Sequence, residues 1–363
     1  MDISRRELFK MAGVAAIGAA VGNFGVAEAK DKFNIMNTIG KKILKLNAAP
    51  VVGSKNVTGQ KFSGTAAKVY FTDKIDAAHL IKLYGMINEN IYGKVGLKLH
   101  TGEPHGPNIL PRDMVKAFQA QVPNSAIIET NTLYNGARYT TEDHRQTLAT
   151  NGWTFCDVDI MDENEEIANL PVRGGFHLQE VAMGGHLVNY DSVVVLTHFK
   201  GHAMGGFGSS LKNIAIGMAS GHLGKLQVHG YDGEKYGMPP KGESWFDGTF
   251  PLKEHFMELM ADSGKATCDY FGKHIVFINV MRRMSVDCDC AGVGATEPTM
   301  ADIGILASTD ILAIDQACCD LVWTATDSKD LRERIESRQG LRQLSAMAEL
   351  GMGNPQYELI SVD

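Results

Sequence analysis

The sequence predicts an α/β protein, a mostly parallel sheet flanked by helices with room for a second lobe. Short apolar runs alternate with amphipathic stretches from Lys68 to the C-terminus, as strands alternating with helices do. One run, Ser192–His198, sets Val193, Val194, Val195 and Leu196 in succession, the pattern of a strand buried on both faces. No repeat at solenoid periods competes with this reading.

In order, strands are expected at Ala67–Phe71, Lys94–His100, Ala126–Thr130, Phe155–Ile160, Ser192–His198, His274–Met281, Ile303–Ser308 and Tyr357–Val362. Helices are expected at Asp76–Asn90, from Pro111 and Arg112 to Gln121, and at Thr141–Asn151, Leu211–Ala219, Pro251–Phe271, Asp310–Thr324 and 329–350. The Pro- and Gly-rich stretch 230–248 reads as a lid or a sub-boundary within a domain spanning 66–363, and residues 30–65 as a poorly ordered lead-in.

The chain opens with a different kind of segment. Ser4-Arg5-Arg6-Glu7-Leu8-Phe9-Lys10 precedes a weakly apolar, Ala- and Gly-rich run, and Ala27-Glu28-Ala29 closes it with a small-x-small cleavage pattern. Residues 1–29 therefore read as a twin-arginine signal, with the twin-arginine translocase as the export partner and a periplasmic or extracellular destination. Its apolar run falls short of the ~20 residues a membrane span needs, and no later stretch reads as a stable membrane span. The signal's +3 and −3 charges cancel, so the rest keeps the net charge of −7. A mildly acidic chain lacks the basic footprint of a nucleic-acid binder and the polybasic patch of an anionic-lipid binder.

Two constellations carry the chemistry. The first, Thr197-His198-Phe199-Lys200-Gly201-His202-Ala203-Met204-Gly205-Gly206-Phe207-Gly208-Ser209-Ser210-Leu211-Lys212, follows the most buried strand, where open α/β sheets place ligands. His198, Lys200 and His202 alternate and would share one side of an extended segment. With Lys212 they form a catalytic set for a small anionic ligand or substrate, a histidine as general base and lysine as electrostatic clamp. Gly205, Gly206, Gly208, Ser209 and Ser210 are the expected cofactor-binding cradle, ending at a helix start with unpaired N–H groups. The pattern is neither a phosphate-binding P-loop nor a dinucleotide fingerprint.

The second is Ser285-Val286-Asp287-Cys288-Asp289-Cys290. Extended, it would point Cys288 and Cys290 one way and Asp287 and Asp289 the other, which suits two thiolates on one soft transition metal or iron–sulfur cluster. Cys318, in Asp315-Gln316-Ala317-Cys318-Cys319-Asp320, is the candidate third ligand, since adjacent helical residues diverge and only one of Cys318 and Cys319 would face the site. Disulfides and inert buried thiols are the alternatives, and Cys156 and Cys268 read as core residues. Lesser signals end other strands: Lys98, His100 and Glu103, then Glu129, Asn131 and Tyr134 with Arg138 nearby, while His222 and His229 lie in a further Gly-rich loop.

Together, H-F-K-G-H-A-M-G-G-F-G-S-S-L-K-N, V-D-C-D-C, D-I-G-I-L-A-S-T-D and D-Q-A-C-C-D-L-V resemble the DUF362 family over nearly all of residues 66–363. The family is uncharacterised and associated with iron–sulfur and ferredoxin proteins. The resemblance implies roles for His198, Lys200 and His202, for Cys288 and Cys290, and for Cys318. The ferredoxin module of some relatives is missing. The ten-residue interval from His202 to Lys212 is also similar to that of nickel-pincer lactate racemases.

The sequence thus leads to an exported metal- or iron–sulfur-binding protein, read as a redox or metal-dependent enzyme acting on a small anion. The rivals are a non-catalytic periplasmic binding or cofactor-maturation protein and a racemase of the nickel-pincer kind.

Overall fold

A computed structural model describes residues 36–39, 42–45, 65–231 and 253–363. The signal segment and most of the stretch 230–248 lie outside the described residues. Within the lead-in, strands β1 (Met36–Ile39) and β2 (Lys42–Lys45) pair as an antiparallel hairpin.

The remaining strands are β3 (Ala67–Thr72), β4 (Val95–Lys98), β5 (Ser125–Glu129), β6 (Val158–Ile160), β7 (Ile167–Pro171), β8 (Glu180–Gly184), β9 (Ser192–His198), β10 (Lys200–His202), β11 (Gly206–Gly208), β12 (Ile275–Met281), β13 (Gly304–Ser308) and β14 (Tyr357–Ser361). The helices are α1 (Ala77–Tyr84), α2 (Arg112–Gln119), α3 (Thr141–Thr150), α4 (Ser210–Ala215), α5 (Gly224–Val228), α6 (Glu254–Phe271), α7 (Ile311–Thr324), α8 (Lys329–Ser337) and α9 (Arg342–Glu349). None of the described helices is long and apolar enough to cross a membrane.

One eight-stranded sheet organises the chain in the order β14-β3-β13-β12-β9-β4-β5-β6. Only β13 runs against its neighbours; every other pairing in the sheet is parallel. This is the α/β fold expected. The valine run of β9 shows why the sheet is buried on both faces. Val193 and Val195 join one apolar cluster, beneath α4, α6, α7 and α9, while Val194 and Leu196 join the other, beneath α1, α2 and α3. Side chains alternate faces along a strand, so a run without polar interruption requires cover on both sides.

The caps follow the chain chemistry: Asp76, Thr140 and Asp310 accept backbone N–H bonds at the starts of α1, α3 and α7. The helix expected over 329–350 is two helices. Gln339 has a positive φ, and a Cβ at Gly340 would stand 2.9 Å from the Gly205 carbonyl oxygen, so the chain turns where it meets the backbone of 205–206.

β4 leads out along the sheet to β5 and β6, whereas β9 leads to β12 on its other side. The adjacent carboxyl ends of β4 and β9 thus form a topological switch point, the place where such sheets bind ligands.

Candidate functional site

His198 ends β9, and the chain continues through Phe199 into the short hairpin of β10 and β11. The segment after β12 is laid against β10: the Gly201 N–H donates to the Ser285 carbonyl at 2.7 Å. A Cβ at Gly201 would stand 2.2 Å from the Val286 carbonyl oxygen, so the approach requires glycine. The His-Lys-His and Cys-Asp-Cys segments, remote in sequence, are thereby brought side by side.

Sγ of Cys288, Sγ of Cys290 and one ring nitrogen of His202 lie within 4.8 Å of one another. Lys212 Nζ, from α4, is 3.6 Å from the Cys288 sulfur. The Cys288 thiol is held well below its ordinary range, first by the Cys290 thiol hydrogen-bonding to it and, against burial, by Lys212, His100 and Lys200. Cys290 moves up for the complementary reasons, the bond to Cys288, burial and the Cys288 charge. The shifts run in opposite directions, so Cys288 is the more readily ionised of the two. Burial would lower the Lys212 ammonium, but Cys288 and Cys290 more than offset it and raise it. Burial, with the Lys212 charge, brings His202 down to about 3. Its Nδ1 accepts the Gly205 N–H at 2.8 Å, so the neutral ring carries its hydrogen on Nε2.

Asp289 corrects one expectation: it does not face away from Cys288. Residues Asp289–Gly294 form a tight 3-10 turn rather than an extended strand, so the carboxylate turns inward. It meets His198 Nδ1 at 2.9 Å and Lys200 Nζ at 3.2 Å. Against burial, His198 and Lys200 hold its carboxyl below the usual range. His198 Nε2 lies 2.7 Å from the Arg282 carbonyl, which only accepts. Both of its ring nitrogens are engaged, one with Asp289 and one with the Arg282 carbonyl, so in this arrangement His198 positions Asp289. Asp287 does point elsewhere, to Thr296 and Arg334.

The cradle is also revised. Ser209 Oγ donates to Asp315 at 2.6 Å, and the N–H groups of Ser210 and Leu211 donate to the same carboxylate. The start of α4 is thus filled by the protein's own anion. Ser210 Oγ bonds Asn279, which in turn reaches Asp315 and the Cys318 sulfur at 3.4 Å. Cys318 belongs to this buried polar knot between α7 and the sheet, outside the Cys288–Cys290–His202 group. Burial raises its thiol well above the ordinary value. Gly205 and Gly206 pack against the α8–α9 corner, where Gln343 Nε2 donates to the Gly205 and Phe207 carbonyls. Of the cradle, Gly208 faces the site, where a Cβ would be 3.7 Å from both the Lys200 and the Lys212 side chain, and Gly205 touches it through its N–H bond to His202.

The lesser signals converge as their strand ends do. Lys98 Nζ is 2.9 Å from Glu129, whose other oxygen accepts from Thr101 N at 3.0 Å and lies 3.3 Å from His100 Nδ1. Against burial, Lys98, His100 and Arg138 hold Glu129 well below the usual range. Arg138 Nε donates to Glu103 at 3.1 Å, and the Tyr134 hydroxyl donates to the same carboxylate at 2.7 Å. The His100 Nε2 is buried without a hydrogen-bond partner while its ring favours ionisation of Cys288. Lys225, which no motif marked, donates to Thr130 and to the Asn131 and Ala219 carbonyls; burial brings it down to about 7. His229 bonds the Lys225 carbonyl and His222 stacks on Tyr139, so neither joins the thiols. All six cysteines are free thiols.

A family described as a domain of unknown function, DUF362, matches residues 95–320. The chain belongs to the DUF362 family. The match runs from the start of β4 to α7 and so takes in both constellations of this DUF362 protein. No curated protein matches it. Among solved structures, it is similar to the lactate racemase apoprotein of Thermoanaerobacterium thermosaccharolyticum, at 14% identity and a TM-score of 0.37, covering 80% of this chain and 62% of that one. It is also similar to a protein of Thermotoga maritima, at 10% identity and a TM-score of 0.41, covering 72% and 60% of the two chains. The DUF362 chain thus spans about six-tenths of the length of either.

Proposed function

We propose that this chain binds one soft metal ion through Cys288 and Cys290 and holds a small anion beside it against Lys212, Lys200 and Arg138. One observation carries this reading: two thiols converge on His202, with the Lys212 ammonium 3.6 Å from the Cys288 sulfur.

The donor chemistry fits a soft ion such as zinc, nickel or iron, since thiolate is the ligand and Cys288 is held toward its thiolate form. It does not fit an iron–sulfur cluster held by this chain alone. Such clusters take four cysteines or a close equivalent, and among the described residues only Cys288 and Cys290 meet, with Cys318 turned onto Asn279. His202 in its present tautomer offers an N–H to the thiols. Ligation through it requires the ring to release the Gly205 amide, because a metal-bound imidazole donates from its other nitrogen. A bound ion would supply Lewis acidity and draw both thiols into thiolates. Lys212, Lys200, Arg138 and Lys98 would orient the anion, and Asp289 and Glu129 keep these cations in place.

The same site supports a racemase of the nickel-pincer kind through one feature: the ten-residue interval puts both His202 and Lys212 beside Cys288. A non-catalytic binding or maturation role uses the same groups without turnover. Twin-arginine export, as residues 1–29 suggest, would suit a chain loaded with its metal before it crosses the membrane.

Metal and acid-labile sulfide analysis of the anaerobically purified chain tests the reading. The expected result is at least one zinc, nickel or iron per chain with no sulfide, and a metal content lower by about one ion per chain in Cys288→Ser. Stoichiometric sulfide, or metal content unchanged in Cys288→Ser, overturns it.

A further inference from the structure

Far from the thiols in sequence, two imidazoles and a carboxylate meet on α6. His255 and Glu258 stand one turn apart on that helix, and His177 reaches them from the turn between β7 and β8. One nitrogen of each histidine and one Glu258 oxygen lie within 4.8 Å of one another. His177 Nε2 is 2.7 Å from Glu258 Oε2, and the two imidazole rings are 4.1 Å apart between centroids.

The framework fixing these groups is buried. Asp262, one further turn along α6, is wholly buried and accepts the N–H groups of Phe176, His177 and Leu178 at 2.7, 2.7 and 2.9 Å. A Cβ at Gly175 would stand 2.8 Å from the Asp262 carboxylate, so glycine permits the turn to sit this close. Arg342 occupies Glu258 Oε1, through Nε at 3.1 Å and Nη2 at 2.7 Å, and leaves Oε2 directed at the histidines. This is the outer support that metal-binding carboxylates receive. An ion pair of His177 with Glu258 explains one of these contacts. It does not explain a second imidazole set against the first, where two protonated rings would repel.

We infer that His177, His255 and Glu258 form a second metal site, for Zn²⁺ or a similar borderline divalent cation. Two nitrogens and one oxygen are the three-ligand set that leaves a fourth, open position for water or an anion. Ligand atoms on one zinc stand ~3.3 Å apart at Zn–N distances of about 2.0–2.1 Å. His177 and Glu258 are partly exposed, at 30% and 18%, so side-chain rotation closes the gap. The site shares no residue with the thiol pair and stands or falls separately from it.

Calorimetric titration of the EDTA-treated full chain with Zn²⁺, and Co²⁺ spectra of the same protein, test the assignment. Zinc binding is expected to persist in Cys288→Ser and to weaken at least tenfold when His255→Ala or Glu258→Gln is added to Cys288→Ser, with unfolding midpoints near that of Cys288→Ser. The Co²⁺ complex of Cys288→Ser should show ligand-field bands, and these should disappear on adding His255→Ala. Absence of zinc binding in Cys288→Ser, or equal affinity with and without His255→Ala, overturns the proposal.

Discussion

Asp289 faces two groups that need it, His198 on one side and the buried Lys200 ammonium on the other. Removing one partner of a buried ion pair leaves the other charge without compensation, at a cost of about 3–5 kcal/mol. Asp289→Asn is therefore expected to lower the stability of the chain by about that amount at pH 7, measured by denaturant midpoint. The sign of the pH dependence follows from the direction of the shift. A carboxyl held below its unfolded value stabilises the fold above about pH 4, and this contribution fades as the pH falls through the folded value. The difference between wild type and Asp289→Asn should accordingly narrow below pH 4. The strand-like alternation that the sequence predicts fails at Asp289 because the chain from there to Gly294 coils into a 3-10 turn.

Cys288 yields a second prediction at the same scale. Burial raises the thiols of Cys156, Cys268, Cys318 and Cys319, so any thiolate present at neutral pH belongs to the Cys288–Cys290 pair. The metal-free chain should show about one thiolate by ultraviolet absorbance at pH 7, where an ordinary thiol near 8.5 is mostly protonated. Lys212→Met should move that titration upward. An unshifted titration would remove Lys212 from the account of the charge.

At the scale of elements, the clamp on the β10–β11 hairpin governs the site's geometry. Gly206 has a positive φ of 77°, and a Cβ on it would stand 2.9 Å from the Gly340 Cα. Both the conformation and the contact oppose any side chain, the first alone at about 1–3 kcal/mol. Gly206→Ala should lower stability by at least that much and reduce metal content, because His202 lies in the same hairpin. Retained metal at normal stability would separate the clamp from the site. The long apolar strands and the capped helices were legible because period and capping chemistry act locally. The short elements were not: β10 and β11 hold three residues each, are rich in glycine, and owe their pairing to a remote helix corner. Likewise β7 lacks an apolar run and β8 has only the three residues Val181–Met183, and the break between α8 and α9 comes from a glycine contact with residues more than a hundred positions earlier. In the site, the residue types and strand ends were readable. The choice of Asp315 to fill the α4 start, and of Asn279 to hold Cys318, depended on which elements become neighbours.

On the scale of the whole molecule, the polar cluster lies where the sheet's connections diverge, so its charges are enclosed by the same core that stabilises the fold. Burial keeps three histidines neutral, His144 and His202 at about 3 and His229 at about 4, against an unfolded value near 6.5. A depressed imidazole leaves the folded chain binding fewer protons than the unfolded chain between those values. Stability is then fully present above pH 6.5 and falls as acid protonates the unfolded state. Each histidine contributes up to about 1.4 kcal/mol per pH unit in that window, so the three together make a steep loss between pH 6 and pH 4. Their partners are distinct: Asn131 for His144, the Gly205 amide for His202 and the Lys225 carbonyl for His229. Replacing His229 with glutamine, which retains a polar side chain without a titrating ring, should flatten the stability profile by about one histidine's share over that range. Urea midpoints measured at half-unit steps from pH 7 to pH 4 read this directly. A slope identical to wild type would mean that His229 is protonated in the folded chain and that burial does not exclude its charge.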